Sequence, residues 1–236
     1  MNGAIVITPV KDSIVTSLKT IASIHGAKSK FHHIVYNDFS SPETLQLLRD
    51  HVAKFKFELV NLCDSIDTPS PNYDFVLQDG QRRALQEGKH LIVVESDVVV
   101  KENTLDELIH FANQEADVGM VGAITVDKLE QVNFPYLKFK NKRSEVMDTR
   151  RSLSFCCTLM SNNFLQQFNF EELDKSKDWY DTSLSKRSID LGFKNIILGN
   201  LTVLHLPHGS RPWKQLKYKN PVKYYFNKLV KGRDKI

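Results

Sequence analysis

Two spacings of apolar residues take turns along the first half of the chain. Short β-branched runs are separated by longer stretches whose apolar positions fall three and four apart, which predicts strands alternating with amphipathic helices. Ala4–Pro9, His32–Tyr36 and Phe57–Leu62 predict three strands. Leu91–Val94 is apolar at every position, as a central strand buried on both faces should be. A helical stripe of Ile14, Val15, Leu18, Ile21, Ala22 and Ile24 fills Ser13–His25. Ser41 and Pro42 supply an N-cap and a first-turn proline for a helix running to about Lys54. Tyr73–Glu87 predicts a further helix stopped by Gly88, and Thr104–Asn113 another, followed by a strand at Val118–Thr125. Such alternation predicts an α/β fold whose mostly parallel sheet has helices on both faces.

After Val126 the pattern changes. Asp127–Ser152 is polar and rich in Lys and Arg, and predicts a long irregular excursion. Phe155–Met160 reads as a buried strand, Ser161–Phe168 as a short helix and Glu171–Lys177 as a charged loop. Asp181–Leu191 predicts a helix ended by Gly192. Lys194–Leu198 and Leu201–Leu206 predict two short strands, with His205 in the second.

The first chemistry to stand out is Glu95-Ser96-Asp97, directly after the apolar Leu91–Val94. Two carboxylates cannot stay unpartnered in an apolar core, so the strand should end there and present them at its carboxyl edge. In open α/β sheets that edge is where ligands bind. The pair suits a hard divalent cation, or else it caps the next helix or meets a lysine.

At 236 residues, 41% hydrophobic and 25% charged, the chain suits one α/β domain with a tail. No apolar run reaches the roughly 18–20 residues of a membrane span, and Met1–Val6 lacks a basic leader segment, so no secretory signal is expected. Cys63, Cys156 and Cys157 lack metal-site spacing and read as reduced core thiols of a cytoplasmic protein. Charge is divided unevenly. Pro207–Ile236 carries +8 and the remainder −4, and the tail interleaves Trp213, Tyr218, Tyr224, Tyr225 and Phe226 with its lysines. This composition suits contact with an anionic membrane surface at the inner face, or a solvated tail. No nucleic-acid motif accompanies it, so no nucleic-acid partner is expected.

Five segments in order resemble a family 2 glycosyltransferase of the GT-A fold. They are Val6-Ile7-Thr8-Pro9-Val10, Ile34–Thr44 around Asn37-Asp38, Glu95-Ser96-Asp97, Tyr180–Arg187 followed by Gly192-Phe193-Lys194, and Val203-Leu204-His205. Four positions depart from the family pattern: Asn37, Phe39 in place of glycine, Glu95 in place of the first Asp of Asp-x-Asp, and Tyr180 in place of Glu. The resemblance implies inverting transfer of a sugar from a nucleoside-diphosphate donor, UDP-linked first among candidates, to a saccharide or lipid-linked hydroxyl in polysaccharide or glycolipid assembly.

The resemblance also implies roles for residues. Asp97 would hold a divalent metal, Mn²⁺ or Mg²⁺, with His205 as second ligand and Glu95 acting through water or on the ribose. His205 could equally be a core histidine satisfied by backbone, and His208 is the runner-up ligand. Asp181 would be the general base, with Asp178 as its nearest alternative, though Asp181 also suits an N-cap. Pro9, Val10, Lys11, Asp38, Arg83 and Ser96 would shape or grip the nucleotide; Asp38 could instead serve an Asx turn, and Arg83 a solvated helix face. The catalytic domain is expected over residues 1–206, and the tail over 207–236. A dinucleotide-dependent dehydrogenase is disfavoured because Pro9-Val10-Lys11-Asp12-Ser13 stands where Gly-x-Gly-x-x-Gly would be needed. A catalytically silent GT-A domain and a nucleotidyltransferase are the remaining alternatives.

Overall fold

A computed structural model of the chain describes residues 2–141, 145–174 and 179–206, together with Val222. The first half follows the predicted alternation closely: β1 (Ala4–Val10), α1 (Ile14–His25), β2 (Phe31–Asn37), α2 (Pro42–Phe55), β3 (Glu58–Asn61), α3 (Tyr73–Gln86), β4 (His90–Val94), β5 (Val98–Val99), α4 (Thr104–Gln114) and β6 (Val118–Val126). Helix α2 begins as its sequence requires, with the Ser41 hydroxyl accepting from the Thr44 amide at 3.3 Å ahead of Pro42. The remaining elements are β7 (Val146–Asp148), β8 (Cys157–Met160), α5 (Asn162–Gln167), α6 (Tyr180–Asp190) and β9 (Lys194–His205).

Strands run in the order β3-β2-β1-β4-β8-β6-β9-β5. The first four are parallel, as is the β6–β9 pair, while β8 runs antiparallel to both β4 and β6. Successive side chains of a strand point to opposite faces. Accordingly Ile5, Ile7, Leu91 and Val93 pack with Leu77 of α3, Phe164 of α5 and Leu184 of α6. Ala4, Val6, Ile92 and Val94 pack with Ile24 of α1 and with Leu105 and Leu108 of α4. The helices therefore cover both faces, and the strand ends β1, β2 and β4 open along one carboxyl edge.

The structure departs from the prediction in three places. The two short strands expected at Lys194–Leu198 and Leu201–Leu206 are one strand, β9, whose pairing with β6 shifts register between Ala123 and Ile124. The Asp127–Ser152 excursion is not wholly irregular: Val146–Asp148 forms β7, antiparallel to β9. Cys63 is exposed rather than in the core, while Cys156 and Cys157 are buried, and all three are free thiols. Burial pushes the Cys157 thiol up to about 12.

The compact unit that carries the sheet ends at Leu206. The basic tail, with His208, lies outside the described residues apart from Val222. Among the described residues no helix is long and apolar enough to cross a membrane.

Candidate active site

The centre of the site is assembled by strand pairing. Strand β4 ends at Val94, and its antiparallel ladder with β8 continues by one bond, from the Glu95 amide to the Cys156 carbonyl at 3.1 Å. Glu95 and Cys156 thereby become cross-strand neighbours, and the thiol of Cys156 donates to Glu95 Oε2 at 3.4 Å. A tight turn, closed by the Val98 amide on the Glu95 carbonyl at 3.1 Å, then leads into β5. Val98 pairs with His205 at the end of β9, and the Leu206 amide donates to the Asp97 carbonyl at 2.8 Å.

That pairing brings His205 Nε2 to 3.1 Å from Asp97 Oδ2, with the carboxylate side chain 0% exposed and the imidazole 9%. A buried carboxylate needs a positive partner or several donors, because its desolvation is costly. The other ring nitrogen, Nδ1, lies 2.8 Å from the Phe134 carbonyl, which accepts its proton and leaves Nε2 aimed at Asp97. Burial opposes charging this ring. The hydrogen bond to Asp97, that carboxylate's charge, the Phe134 carbonyl and Glu95 outweigh it and raise the His205 pKa above the ordinary histidine value.

Phe134 is a contributor that sequence reasoning did not find, since a backbone carbonyl leaves no mark in residue type. It belongs to the start of the excursion, which folds back on the ends of β6 and β9. The Asp127 carboxylate accepts from the amides of Leu129 and Gln131, at 2.8 and 3.0 Å, to form the turn. Thr125 Oγ1 donates to the Asn133 and Phe134 carbonyls, and Asn133 Nδ2 to the His205 carbonyl. Part of a segment expected to be irregular thus fixes the orientation of the site histidine.

Asp181 sits in the first turn of α6. Trp179 occupies the cap position, so Asp181 is not the N-cap; its Oδ1 accepts from the Thr182 amide at 2.7 Å. Its charge reaches the buried Tyr136 phenol, whose pKa is raised chiefly by burial and then by Cys156, with Asp181 adding to the effect. Tyr136 Oη accepts from the Ser154 amide at 3.0 Å, and the Leu153 amide donates to Ser185 Oγ of α6 at 2.9 Å. Segment Leu153–Cys156 consequently runs from α6 to Glu95. The unexpected Tyr180 stacks on Tyr73 (centroids 6.4 Å, 11°), and Tyr73 stacks in turn on Phe155 (5.9 Å, 3°). This column ties the starts of α3 and α6 to the approach of β8. Asp178 lies outside the described residues.

At the β1 and β2 ends the chain is knitted tightly. The Asp12 carboxylate accepts from the Ser41 amide at 2.9 Å, the Asp12 amide donates to Ser40 Oγ at 2.8 Å, and Lys11 Nζ donates to the Phe39 carbonyl. Pro9 is half-buried and Val10 buried beside them. Phe39, where the resembling family carries glycine, has φ 54° and keeps the left-handed backbone despite its side chain. Both oxygens of Asp38 are engaged by one loop: Oδ2 accepts from Ser70 Oγ (2.7 Å) and the Asn72 amide (3.0 Å), and Oδ1 from Asn72 Nδ2 (2.7 Å). Ser96 is buried in the turn after β4.

Arg83 is placed elsewhere. Its guanidinium pairs with Asp79 at 2.7 Å and with Glu58 at 2.9 Å, and Glu58 is the first residue of β3. It therefore stands toward the amino ends of the strands, within an ion-pair network with Asp79 and Glu58.

Among the described residues, Glu95, Cys156 and His205 each offer a donor atom, and these lie within 4.8 Å of one another. With buried Asp97 abutting the imidazole, these donors fit a divalent cation in type and spacing.

No family model and no curated protein matches the chain by sequence. Solved structures match it by fold. A 1–349 fragment of TarS from S. aureus has a TM-score of 0.64 at 16% identity over 87% of this chain. GalNAc-T7 with UDP, GalNAc and Mn²⁺ has a TM-score of 0.66 at 12% identity over 88%. The mannosyltransferase PcManGT from Pyrobaculum calidifontis with GDP-Man and Mn²⁺ has a TM-score of 0.66 at 12% identity over 98%. The matches span 60%, 44% and 65% of those three chains, each less than two thirds. The fold is thus the GT-A fold that those structures share.

Proposed function

We propose that the chain is a glycosyltransferase that moves a sugar from a nucleoside-diphosphate donor to an acceptor hydroxyl with inversion. The observation that carries this reading is the grouping of Glu95, Cys156 and His205, with Asp97 against the imidazole, at the carboxyl edge of a GT-A sheet, and with Asp181 in electrostatic reach of Tyr136, whose hydroxyl accepts from the Ser154 amide. Asp97, His205 and Glu95 would hold a divalent cation, which supplies Lewis-acid neutralisation of the departing diphosphate.

The chain's own residues do the rest. The Phe134 carbonyl holds the His205 ring in one tautomer, so that its Nε2 stays directed at Asp97. The paired β1 and β2 turns, with Pro9, Val10, Lys11 and Asp38, form one wall for the nucleoside, and Asp38 acts by pinning the Ser70–Asn72 loop there. Asp181, at the start of α6, accepts the acceptor hydroxyl's proton as the new glycosidic bond forms. The acceptor would be a saccharide or lipid-linked sugar in polysaccharide or glycolipid assembly, with the basic tail meeting an anionic membrane surface.

The test is nucleoside-diphosphate release from a panel of UDP- and GDP-sugars with Mn²⁺, Mg²⁺, Co²⁺ or Zn²⁺ and a range of acceptors. Asp181→Asn should cut turnover by roughly 10²-fold or more while donor affinity stays close to wild type. Donor binding without any release, unchanged by Asp181→Asn, would instead mark a silent GT-A domain.

A further inference from the structure

Among the three grouped donors, Cys156 is the one that no segment resembling the family supplies. Cys156 is 2% exposed, stands cross-strand to Glu95 through the Glu95 amide–Cys156 carbonyl bond, and directs its Sγ at Oε2 from 3.4 Å. In a tetrahedral site with metal–ligand bonds of about 2.0–2.3 Å, neighbouring donors lie roughly 3.3–3.8 Å apart. The Sγ–Oε2 separation of 3.4 Å is of that size, and the donor atoms of Glu95, Cys156 and His205 all lie within 4.8 Å of one another. Each donor is held by its backbone: Glu95 and Cys156 by the end of the β4–β8 ladder, and His205 by the β5–β9 ladder.

We infer that Cys156 is a metal ligand of this site and that it makes the site select a borderline or soft divalent ion, Zn²⁺ or Co²⁺, over Mn²⁺ and Mg²⁺. The chemistry is that of ligand softness. Magnesium and manganese favour carboxylate, carbonyl and water oxygens, whereas thiolate sulfur binds zinc and cobalt far better. A carboxylate, a thiolate and an imidazole form a mixed set in which the sulfur decides the preference. On binding, the thiol gives up its proton and the metal takes its place beside Glu95. This inference rests on the transferase reading for the use of the ion, but not for its binding.

The test uses the full chain, reduced, metal-free and without nucleotide. Addition of Co²⁺ to wild type should produce the near-ultraviolet thiolate-to-cobalt charge-transfer band, and Zn²⁺ should displace it where Mn²⁺ at the same concentration does not. Cys156→Ser should lose the band and bind Zn²⁺ at least about 10-fold more weakly, with a smaller change for Mn²⁺. A wild type without the band, or a Cys156→Ser protein that retains it, overturns the inference. So does an equal loss for both metals. The wild-type measurement decides even if the variant fails to fold. A chain that shows the band but releases no nucleoside diphosphate with any metal sinks the transferase reading alone; one that turns over donor with Mn²⁺ but shows no band sinks the thiolate ligand alone.

Discussion

His33 offers a quantitative test of the sheet that supports the site. It lies in β2 between β1 and β3, 4% exposed, with Nε2 3.1 Å from Thr8 Oγ1 and its ring 6.0 Å from that of Phe57. Burial, reinforced by the nearby His32 and His25, lowers its pKa from 6.5 to about 3. A base whose folded pKa is depressed binds fewer protons folded than unfolded between those two values, so stability must rise with pH across that window. The contribution is complete above about pH 6.5 and is lost progressively as pH falls toward 3. Each pH unit inside the window is worth about 1.4 kcal/mol, so moving from pH 7 to pH 5 should cost about 2 kcal/mol, a visible share of a total near 5–15 kcal/mol. His90, also lowered by burial, adds in the same direction, whereas His205, which is raised, contributes below its ordinary value and fades as pH climbs through its folded one. Urea midpoints at pH 7.5, 6 and 5 would measure the slope, provided m stays constant. His33→Gln, which retains a polar partner for Thr8, should flatten it by close to one proton. Identical slopes for wild type and His33→Gln would refute the assignment of the neutral ring.

Other perturbations probe the surroundings. Tyr180→Leu keeps apolar volume but removes the ring from the Phe155–Tyr73–Tyr180 column; it should cost about 1 kcal/mol in thermal or urea unfolding and lower turnover by displacing Asp181. A Cβ at Gly122 would come within 2.5 Å of Leu153 Cδ2 and 3.2 Å of Tyr136 Oη, so Gly122→Ala should destabilise by about 1–3 kcal/mol, read from the same melts. Removal of Lys214–Ile236 should reduce pelleting with anionic liposomes, and undiminished pelleting would dismiss the tail as the membrane contact.

Most of the first half could be read directly because each of its elements carries its own period. Ile14 through Ile24 mark one face of α1, and Ser41-Pro42 marks the start of α2, whatever the rest of the chain does. The end of β4 was legible for a related reason: Glu95 and Asp97 cannot remain in an apolar interior. What could not be read depends on partners distant in sequence. The contact between Asp97 and His205 exists because β5 pairs with β9, and Cys156 meets Glu95 only through the antiparallel register of β4 and β8. Nothing local distinguishes Cys156 from Cys157, yet one faces a carboxylate and the other the core. The orientation of His205 comes from the carbonyl of Phe134, which any residue there could provide. The ion pairs of Arg83 with Asp79 and Glu58 likewise become visible only once α3 lies across β3's side of the sheet.

The assembly of the donor group from strand ends has a consequence for how a metal ion would be taken up. Residues 95, 156 and 205 come from three separate stretches, and no peptide fragment contains more than one of them within a single turn. An unfolded or half-folded chain offers isolated, floppy ligands; the finished sheet offers all of them at once. Metal uptake should therefore report completion of folding, and the bound ion should act as a rivet that raises the melting temperature in proportion to the logarithm of its free concentration.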